Sequence, residues 1–578
     1  MAQEVVLSQH RSATAGLVDR LWEIQRRSGT QHISPDEISQ VARDLGVSIG
    51  FVHGVASFYS MLSVKQRGKH VIRVCESPHC QLAGAETIIA LLQGELGIGI
   101  GETTRDGEFT VEASSCLGAC SEPPAMQLDD ALYTGVTPTL LKNVLAQAHS
   151  VDWVSSHSHL PQILREQDLL RGCGQGNLEA AVERGRYQGL KLAVEAMSPE
   201  GVLSMVKDAG LRGRGGAGFP TARKWQFTRN ASGEPKYLIC NADEGEPGTF
   251  KDRLLLERCP HLVIEGILLA GYAIGATKGF IYIRGEYAES IARMEQALGQ
   301  ARRANYLGEK ILGSSYSFDI EVYRGAGAYV CGEETSLIES MEGKRGFPRL
   351  RPPYPATVGL FGKPTVINNV ETLANVPVIV RGGSAAYRSL GIDPSPGTKL
   401  YPVSGAVVNA GVAEAEMGIT LRELIYDIGG GIANGKSFLA ALVGGAAGVF
   451  LGEDMLDVPL EYDSLASKGG VLGSGAVLVL DEDCQVAPLI LDILHFFCHE
   501  SCGQCVPCRI GTARLAELME DIIAGKGTNT DLELMLETAH VMKETSLCPL
   551  GQAPDLILRS AVHYFRSQLA PCNAEGQR

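Results

Sequence analysis

Three cysteines at two-residue spacing, Cys502, Cys505 and Cys508 in ESCGQCVPCR, are followed by a fourth, Cys548 in TSLCPLG. No other feature constrains the fold as strongly. That pattern matches a four-iron, four-sulfur site. Structural zinc more often shows two separated pairs, and it stands as the alternative.

A second set of four follows a different rule. Cys75 and Cys80 have four residues between them, and Cys116 and Cys120 have three. Both pairs fall in loops after strand candidates, Val71–Val74 and Phe109–Ala113. With a helix at Ala85–Leu96, a hairpin of Met126–Leu128 and Leu132–Tyr133 around Asp129-Asp130, and a helix capped by Thr137-Pro138, the order is β-α-β-β-α. That predicts a small thioredoxin-like layer whose loop thiolates can converge. Soft thiolates suit an iron–sulfur cluster, and this spacing leaves zinc open as well.

The remaining seven of the 15 cysteines (Cys173, Cys240, Cys259, Cys331, Cys484, Cys498, Cys572) are scattered. Most of them read as buried small hydrophobes, because an intracellular chain is a poor place for disulfides. An intracellular setting follows from what is missing. The start, MAQEVVLSQHR, has no apolar run for a signal peptide, and the longest apolar stretch, Leu262–Ala276, is short and broken by Glu265. A net charge of −15, from 51 basic and 66 acidic residues, argues against nucleic acid or an anionic membrane as partner. At 578 residues the chain has room for about four domains.

The N-terminal stretch predicts helices. Leu17, Val18, Leu21 and Trp22 make one apolar face; Ser34-Pro35-Asp36-Glu37 is a capping box that opens a helix ended by Gly46. A further helix is expected over Ile49–Leu62, and the whole reads as a docking bundle. Residues 151–176, with WVSSHSH and GCGQG, read as a linker.

The middle segment alternates strand and helix: strand Tyr237–Cys240, helix His261–Ala276, strand Phe280–Arg284, helix Tyr287–Ala301, strand Phe318–Tyr323. Three loops there are unusual. Leu211–Trp225 packs Gly213, Gly215, Gly216 and Gly218 between Arg212, Arg214, Arg223 and Lys224, so backbone N–H groups can close on a phosphate with cations beside them. A plain surface loop is the alternative. Asn241–Arg253 (NADEGEPGTFKDR) and Gly325–Thr335 (GAGAYVCGEET) follow strands and precede helices, where α/β folds bind nucleotides. Asp243, Glu244 and Glu246 could accept ribose hydroxyls and repel the extra phosphate of NADP; a solvated acidic turn is the alternative. None of these loops is a G-x-G-x-x-G fingerprint. From Thr398 to about Cys484 the chain reads as a β-grasp-like structural spacer, and from Val486 it is helical again.

RGRGGAGFPT, CNADEGEPGTFKDR, CGEETSLIESMEGKRG, INNVET and ESCGQCVPCR occur in that order. Arg212 to Arg509 thereby closely resembles the flavin-bearing, NADH-oxidising subunit of complex I, and residues 1–150 resemble its thioredoxin-like partner. Such a fusion looks most like the diaphorase flavoprotein subunit of cytoplasmic NAD-reducing nickel–iron hydrogenases. The resemblance implies a multidomain α/β fold: a helical bundle (1–68), a thioredoxin-like [2Fe–2S] domain (69–150), the linker, a Rossmann-like FMN and NAD domain (177–397), the β-grasp-like domain (398–485) and a helical [4Fe–4S] domain (486–578).

It also implies site residues. The FMN phosphate would lie on Gly213, Gly215, Gly216 and Gly218 near Lys224 and Arg212 or Arg214. Asn241, Asp243, Glu244, Tyr329, Gly332, Glu333, Asn368 and Asn369 would hold the flavin and its ribityl chain. Phe219, Phe227 and Tyr354 would stack on adenine, with Glu246 and Glu334 at the ribose or nicotinamide end. Cys502, Cys505, Cys508 and Cys548 would hold the [4Fe–4S] cluster, and Cys75, Cys80, Cys116 and Cys120 the [2Fe–2S] cluster. No protein nucleophile or general base is expected, because the cofactor carries the chemistry.

Two departures touch nucleotide affinity: Ala222-Arg223 stands where Gly-Leu is common, and Arg351-Pro352-Pro353-Tyr354 where Lys-Pro-Pro-Phe is common. The implied partners are an iron–sulfur diaphorase subunit and nickel–iron hydrogenase subunits, since no second pair of Cys-x-x-Cys motifs suits nickel here. A soluble NAD-dependent formate dehydrogenase and complex I itself are rival settings. A zinc-structured nucleotide-binding scaffold is the rival from another class.

Overall fold

The computed structural model describes residues 14–148, 160–174 and 176–569. The opening stretch MAQEVVLSQHR and residues 151–159 of the expected linker lie outside them. Near the N-terminus, helices Leu17–Arg27, Pro35–Leu45 and Ile49–Ala56 bury Leu17, Val18, Leu21, Ile38, Val41 and Val52. The capping box forms: the Ser34 hydroxyl accepts from the Glu37 N–H, and the Glu37 carboxylate accepts from the Ser34 N–H. The third helix stops at Ala56, short of the expected Leu62, because the next residues bond elsewhere. Ser60 and Met61 donate their N–H groups to the carbonyls of Gly327 and Ala326 at 3.0 Å.

The first sheet has β1 (His70–Cys75), β2 (Phe109–Ser114), β3 (Met126–Leu128) and β4 (Ala131–Tyr133) in the order β2-β1-β3-β4. β1 and β2 are parallel with Cys75 opposite Ser114. Parallel pairing puts both strand ends on one edge, so the loops bearing Cys75/Cys80 and Cys116/Cys120 emerge side by side. Helices Ala85–Leu96 and Pro138–Gln147 close the layer with Ile88, Leu92, Leu141 and Val144 against Ile72, Val74 and Met126.

The expected linker is partly structured. β5 (Ile163–Arg165) pairs in parallel with a strand far along the chain, with Ile163 opposite Val412. The Glu414 carboxylate then fastens the following turn, accepting N–H bonds from Gln167, Leu169 and Leu170 at 2.8–2.9 Å. A three-residue edge strand has no periodicity to read, so only its remote partner defines it.

In the middle segment β6 (Tyr237–Ala242), β7 (Lys278–Ile283), β8 (Asp319–Arg324) and β9 (Thr365–Asn369) form an all-parallel sheet ordered β8-β7-β6-β9. The order reverses between β6 and β9, and ligands bind at such a switch point, outside the carboxyl ends of the strands. Helix Pro260–Ile274 is buried almost all round behind this sheet; its Glu265 accepts from the Leu190 N–H at 3.1 Å. Among the described residues no helix is long and apolar enough to cross a membrane.

The sheet completed by β5 contains β12 (Thr398–Gly405), β13 (Gly411–Glu416), β14 (Phe438–Val443), β15 (Val449–Leu451) and β16 (Val477–Asp481), after the short pair β10 (Gly391–Ile392) and β11 (Ser395–Pro396). Its order is β15-β14-β16-β12-β13-β5. Helices Val486–Glu500, Val506–Ile523, Asn529–Thr545 and Pro549–Leu569 end the described chain around Leu489, Leu494, Phe497, Leu515, Met535 and Ile557.

One cysteine expectation is overturned. Cys173 and Cys259 form a disulfide with Cα atoms 5.2 Å apart. The arm fastened by Glu414 carries Cys173 to the junction between helices Lys251–Arg258 and Pro260–Ile274, where Cys259 sits. Nothing in the local spacing announces a bridge spanning 86 residues.

Candidate functional site

The two cysteine sets each gather. Cys75, Cys80, Cys116 and Cys120 are each only 1% exposed. The Cys116 and Cys120 sulfurs lie 3.6 Å apart, and Cys75 is within hydrogen-bonding reach of both Cys80 and Cys116. Two backbone amides point at this group: Gly118 N–H to Cys116 Sγ and Gly248 N–H to Cys120 Sγ, both 3.4 Å. Gly248 belongs to the acidic loop after β6, so that loop and the cysteine loop are in direct contact. Arg284 reinforces the seam, donating to the carbonyls of Cys116 (2.6 Å) and Glu244 (2.8 Å).

Cys502, Cys505, Cys508 and Cys548 line one hollow, together with Pro348 and Leu550. Cys505 is the N-cap of helix Val506–Ile523, so the loop before it holds two thiols and the first turn holds Cys508. Burial pushes Cys508 up to about 12 and Cys548 up to about 11. As thiolates they need a cation beside them, which is what bound iron would supply.

The glycine loop is held from several directions. Gly213 N–H bonds the Phe219 carbonyl at 2.9 Å, closing the turn; Tyr462 OH donates to the Gly213 carbonyl at 2.7 Å. Gly218 sits at φ +62°, and a Cβ there would meet the Tyr462 ring at 2.8 Å; one on Gly215 would meet Asn369 Cβ at 2.9 Å. Arg212 donates to the Gly218 carbonyl and to Asp463, both at 2.8 Å. Arg214 behaves differently. Its guanidinium is fully buried against the Tyr387 hydroxyl and the Pro396 carbonyl. Arg214 therefore anchors the loop from beneath, while its backbone remains part of the turn.

Lys224, in helix Thr221–Asn230, pairs with Glu334 and donates to the Ile367 carbonyl at 2.6 Å. One residue on, Trp225 Nε1 donates to Asn368 Oδ1 at 2.8 Å. Asn241 Nδ2 donates to the Gly332 carbonyl at 2.9 Å, and its Oδ1 accepts from the Asp243 N–H. The loops after β6, β8 and β9 are thus joined across the switch point. Glu333 caps helix Glu334–Met341, accepting from the N–H groups of Thr335 and Ser336 at 2.9 Å.

The acidic residues split into three roles. Glu244 accepts from the N–H groups of Asp252 and Arg253 at 2.8 and 2.9 Å, which makes it the cap of helix Lys251–Arg258. Glu246 accepts from Tyr329 OH at 2.5 Å and from Ala447 N–H at 2.9 Å, and burial pushes it up to about 7. Asp243 is held well above the usual carboxylate range by burial, and its Oδ2 meets no hydrogen-bond partner among the described residues. A buried acceptor left unpaired beside Tyr329 fits a loop built to meet a bound polar ring system.

Phe219, Phe227 and Tyr354 are 44%, 49% and 58% exposed, which leaves their ring faces open to solvent. Arg223, one of the two departures, lies over the Phe219 and Phe227 rings at 5.9 and 5.6 Å. It places a cation between two faces available for stacking. At the other departure, Arg351 lies 3.7 Å from Glu333.

Several contributing residues take their role only from remote partners. Under the glycine loop, Lys251 bridges Asp252 (2.8 Å) and Glu371 (2.9 Å), both almost wholly buried. Asp252 in turn accepts from Asn369 Nδ2 at 2.6 Å. Lys399 of β12 reaches Glu371 and the Arg214 carbonyl. Ala447 and Tyr462 also come from the region expected to be a spacer. That region helps to build the site.

Residues 206–378 match the Nuo51 FMN-binding domain, residues 3–149 a thioredoxin-like [2Fe–2S] ferredoxin, and residues 488–571 the NADH-ubiquinone oxidoreductase-F iron–sulfur binding region. The ferredoxin match takes in the N-terminal helices together with the first sheet, which the sequence divides at residue 68. The NADH-quinone oxidoreductase F 2 subunit of Rhizobium meliloti is 48% identical over 408 residues, 71% of this chain and 96% of that one. The alpha subunit of the NAD-reducing hydrogenase HoxS of Cupriavidus necator is 37% identical over 555 residues, 94% of this chain and 90% of that one. A crystal structure of an air-oxidised NAD+-reducing [NiFe]-hydrogenase superposes with TM-score 0.85 at 34% identity, covering 97% of this chain and 94% of its counterpart.

Proposed function

This chain belongs to the family of flavin-bearing NADH-oxidising subunits, with a thioredoxin-like iron–sulfur domain fused ahead of the flavin domain, and on that premise we propose that it is the diaphorase subunit of an NAD-reducing nickel–iron hydrogenase. It is an NAD-dependent oxidoreductase whose resident cofactors are FMN, a [2Fe–2S] cluster and a [4Fe–4S] cluster. Bound FMN supplies hydride exchange with nicotinamide and converts electron pairs into the single electrons that clusters carry. The chain's own residues supply position and charge.

In this proposal the glycine turn holds the phosphate with backbone N–H groups, and Lys224 with Arg212 adds charge. Asn241, Asn368, Asn369 and the unpaired oxygen of Asp243 orient the flavin. Phe219, Phe227 and Tyr354 offer ring faces to adenine. Glu246, fastened by Tyr329 and Ala447, is the residue that would meet a nucleotide's ribose, and Glu334 holds Lys224 in place beside the phosphate seat. The Rossmann-like, β-grasp-like and C-terminal bundle descriptions, and a cytoplasmic location, belong to the same proposal.

One observation carries the reading: the thiol group of Cys75, Cys80, Cys116 and Cys120 is packed directly on the acidic flavin loop through Gly248 and Arg284. Electron exchange needs that proximity, and a scaffold does not. The hydrogenase setting is favoured over a formate dehydrogenase or complex I by relatedness along almost the full fused chain. Affinity purification from its own cells tests it. Nickel-containing subunits and hydrogen-dependent NAD+ reduction should accompany the chain; formate-oxidising or membrane-arm subunits in their place would refute the hydrogenase assignment. A colourless, zinc-loaded, flavin-free chain would refute the redox function itself.

A further inference from the structure

Glu500 ends helix Val486–Glu500, directly ahead of Ser501 and Cys502, and has no part in the sites described above. Its two carboxylate oxygens are both used, in different directions. Oε1 accepts from the hydroxyl of Ser115, the neighbour of Cys116, and Oε2 accepts from the backbone N–H of Tyr329 at 2.9 Å. These partners lie 385 and 171 residues away in the sequence. One turn back along the helix, Phe496 meets the Tyr329 ring edge-on at 5.1 Å. Tyr329 continues the chain through its hydroxyl to Glu246. Beside this junction is a small hollow lined by Ser115, Asp243, Arg284, Glu286, Tyr329 and Glu500.

A carboxylate suits such a junction because it only accepts, offers two oxygens, and forms stronger bonds than a neutral acceptor. One side chain thereby ties the loop that carries Cys116, the loop that carries Tyr329 and the loop that carries Cys502. Electron exchange weakens steeply with distance, so whatever fixes the spacing of these loops governs the exchange. We propose that Glu500 is a positioning residue that holds both cysteine loops in register with the flavin loop through Ser115 and Tyr329. This rests on the functional reading above.

The test compares Glu500→Ala, Glu500→Gln and Ser115→Ala in the whole chain. FMN and iron per chain, the electron paramagnetic resonance of both reduced clusters, and amide hydrogen exchange around residues 115 and 329 are measured. Glu500→Ala should exchange about tenfold faster at Tyr329, as loss of a charge-assisted bond predicts. Both cluster spectra should change, with flavin and iron retained. Glu500→Gln should restore both readouts, because its oxygen still accepts from Tyr329 and its amide can donate to the Ser115 hydroxyl. Ser115→Ala should change only the [2Fe–2S] spectrum, and it carries the test if Glu500→Ala does not fold. Unchanged exchange and spectra in Glu500→Ala, or an unchanged [2Fe–2S] spectrum in Ser115→Ala, would overturn the assignment. Wild-type protein without flavin or iron would refute the redox function instead, and the exchange comparison would still judge Glu500.

Discussion

Glu246→Gln separates charge from shape at the acidic loop. Burial pushes Glu246 up to about 7, against the bonds from Tyr329 and Ala447 that pull it down. A raised acid is neutral below that value and ionised above it. About nine tenths of it is neutral near pH 6 and about one tenth near pH 8, from simple titration around a value of about 7. Juxtaposed like charges cost several kcal/mol, so the ionised carboxylate should reject a nucleotide carrying a 2′-phosphate. The kcat/KM for NADPH should then follow the neutral fraction and fall about ninefold across that interval, while NADH is spared. Glutamine stays neutral at every pH, so in the variant this fall disappears and discrimination against NADPH relaxes at alkaline pH. Ferricyanide reduction with each nucleotide is the assay, and the variant itself measures any background from titration of the 2′-phosphate. A variant whose NADH-to-NADPH ratio tracks the wild-type pH curve would refute the assignment of Glu246.

Cys505→Ala should leave reduction of bound FMN by NADH intact and abolish transfer onward, which stopped-flow absorbance separates; normal transfer would remove that cluster from the path. Gly218→Ala forces a Cβ into φ +62° and to 2.8 Å from the Tyr462 ring, a strain of about 1–3 kcal/mol. Fluorescence of released flavin should show FMN loss from that variant, and full retention would mean that the turn does not form the phosphate seat. Lys251→Met leaves buried Asp252 without its cation and Glu371 with Lys399 alone, and should destabilise the protein by about 3–5 kcal/mol. Thermal unfolding reads this, and a midpoint within a degree or so of wild type would show that other charges compensate.

What the chain discloses before folding depends on whether the signal is local. Helix Ala85–Leu96 is legible because Ala85, Ile88 and Leu92 repeat at helical spacing and Gly97 stops them. Both cysteine quartets are legible because loop spacing is itself the chemistry. β5 is not, since three residues acquire strand character only from Val412 and Ala413. The Cys173–Cys259 bridge depends on an arm that Glu414 of β13 fastens from far along the chain. Arg214 looks like a phosphate ligand by position, yet its side chain is drawn under the loop by Tyr387 and Pro396. Glu500 stands inside a motif read for its cysteines, and only the remote positions of Ser115 and Tyr329 give it a role. Buried charge networks such as Lys251–Glu371–Lys399 share this property, for each partner alone looks like a surface residue.

Anaerobic titration of the purified chain with NADH, counting electrons accepted per chain, tests the central claim most directly. FMN alone stores about two electrons and each cluster adds about one. Uptake beyond about two, with bleaching of the flavin and new paramagnetic signals from reduced clusters, is the predicted result. Uptake that stops at the flavin, or no uptake by a chain that carries zinc, would contradict it.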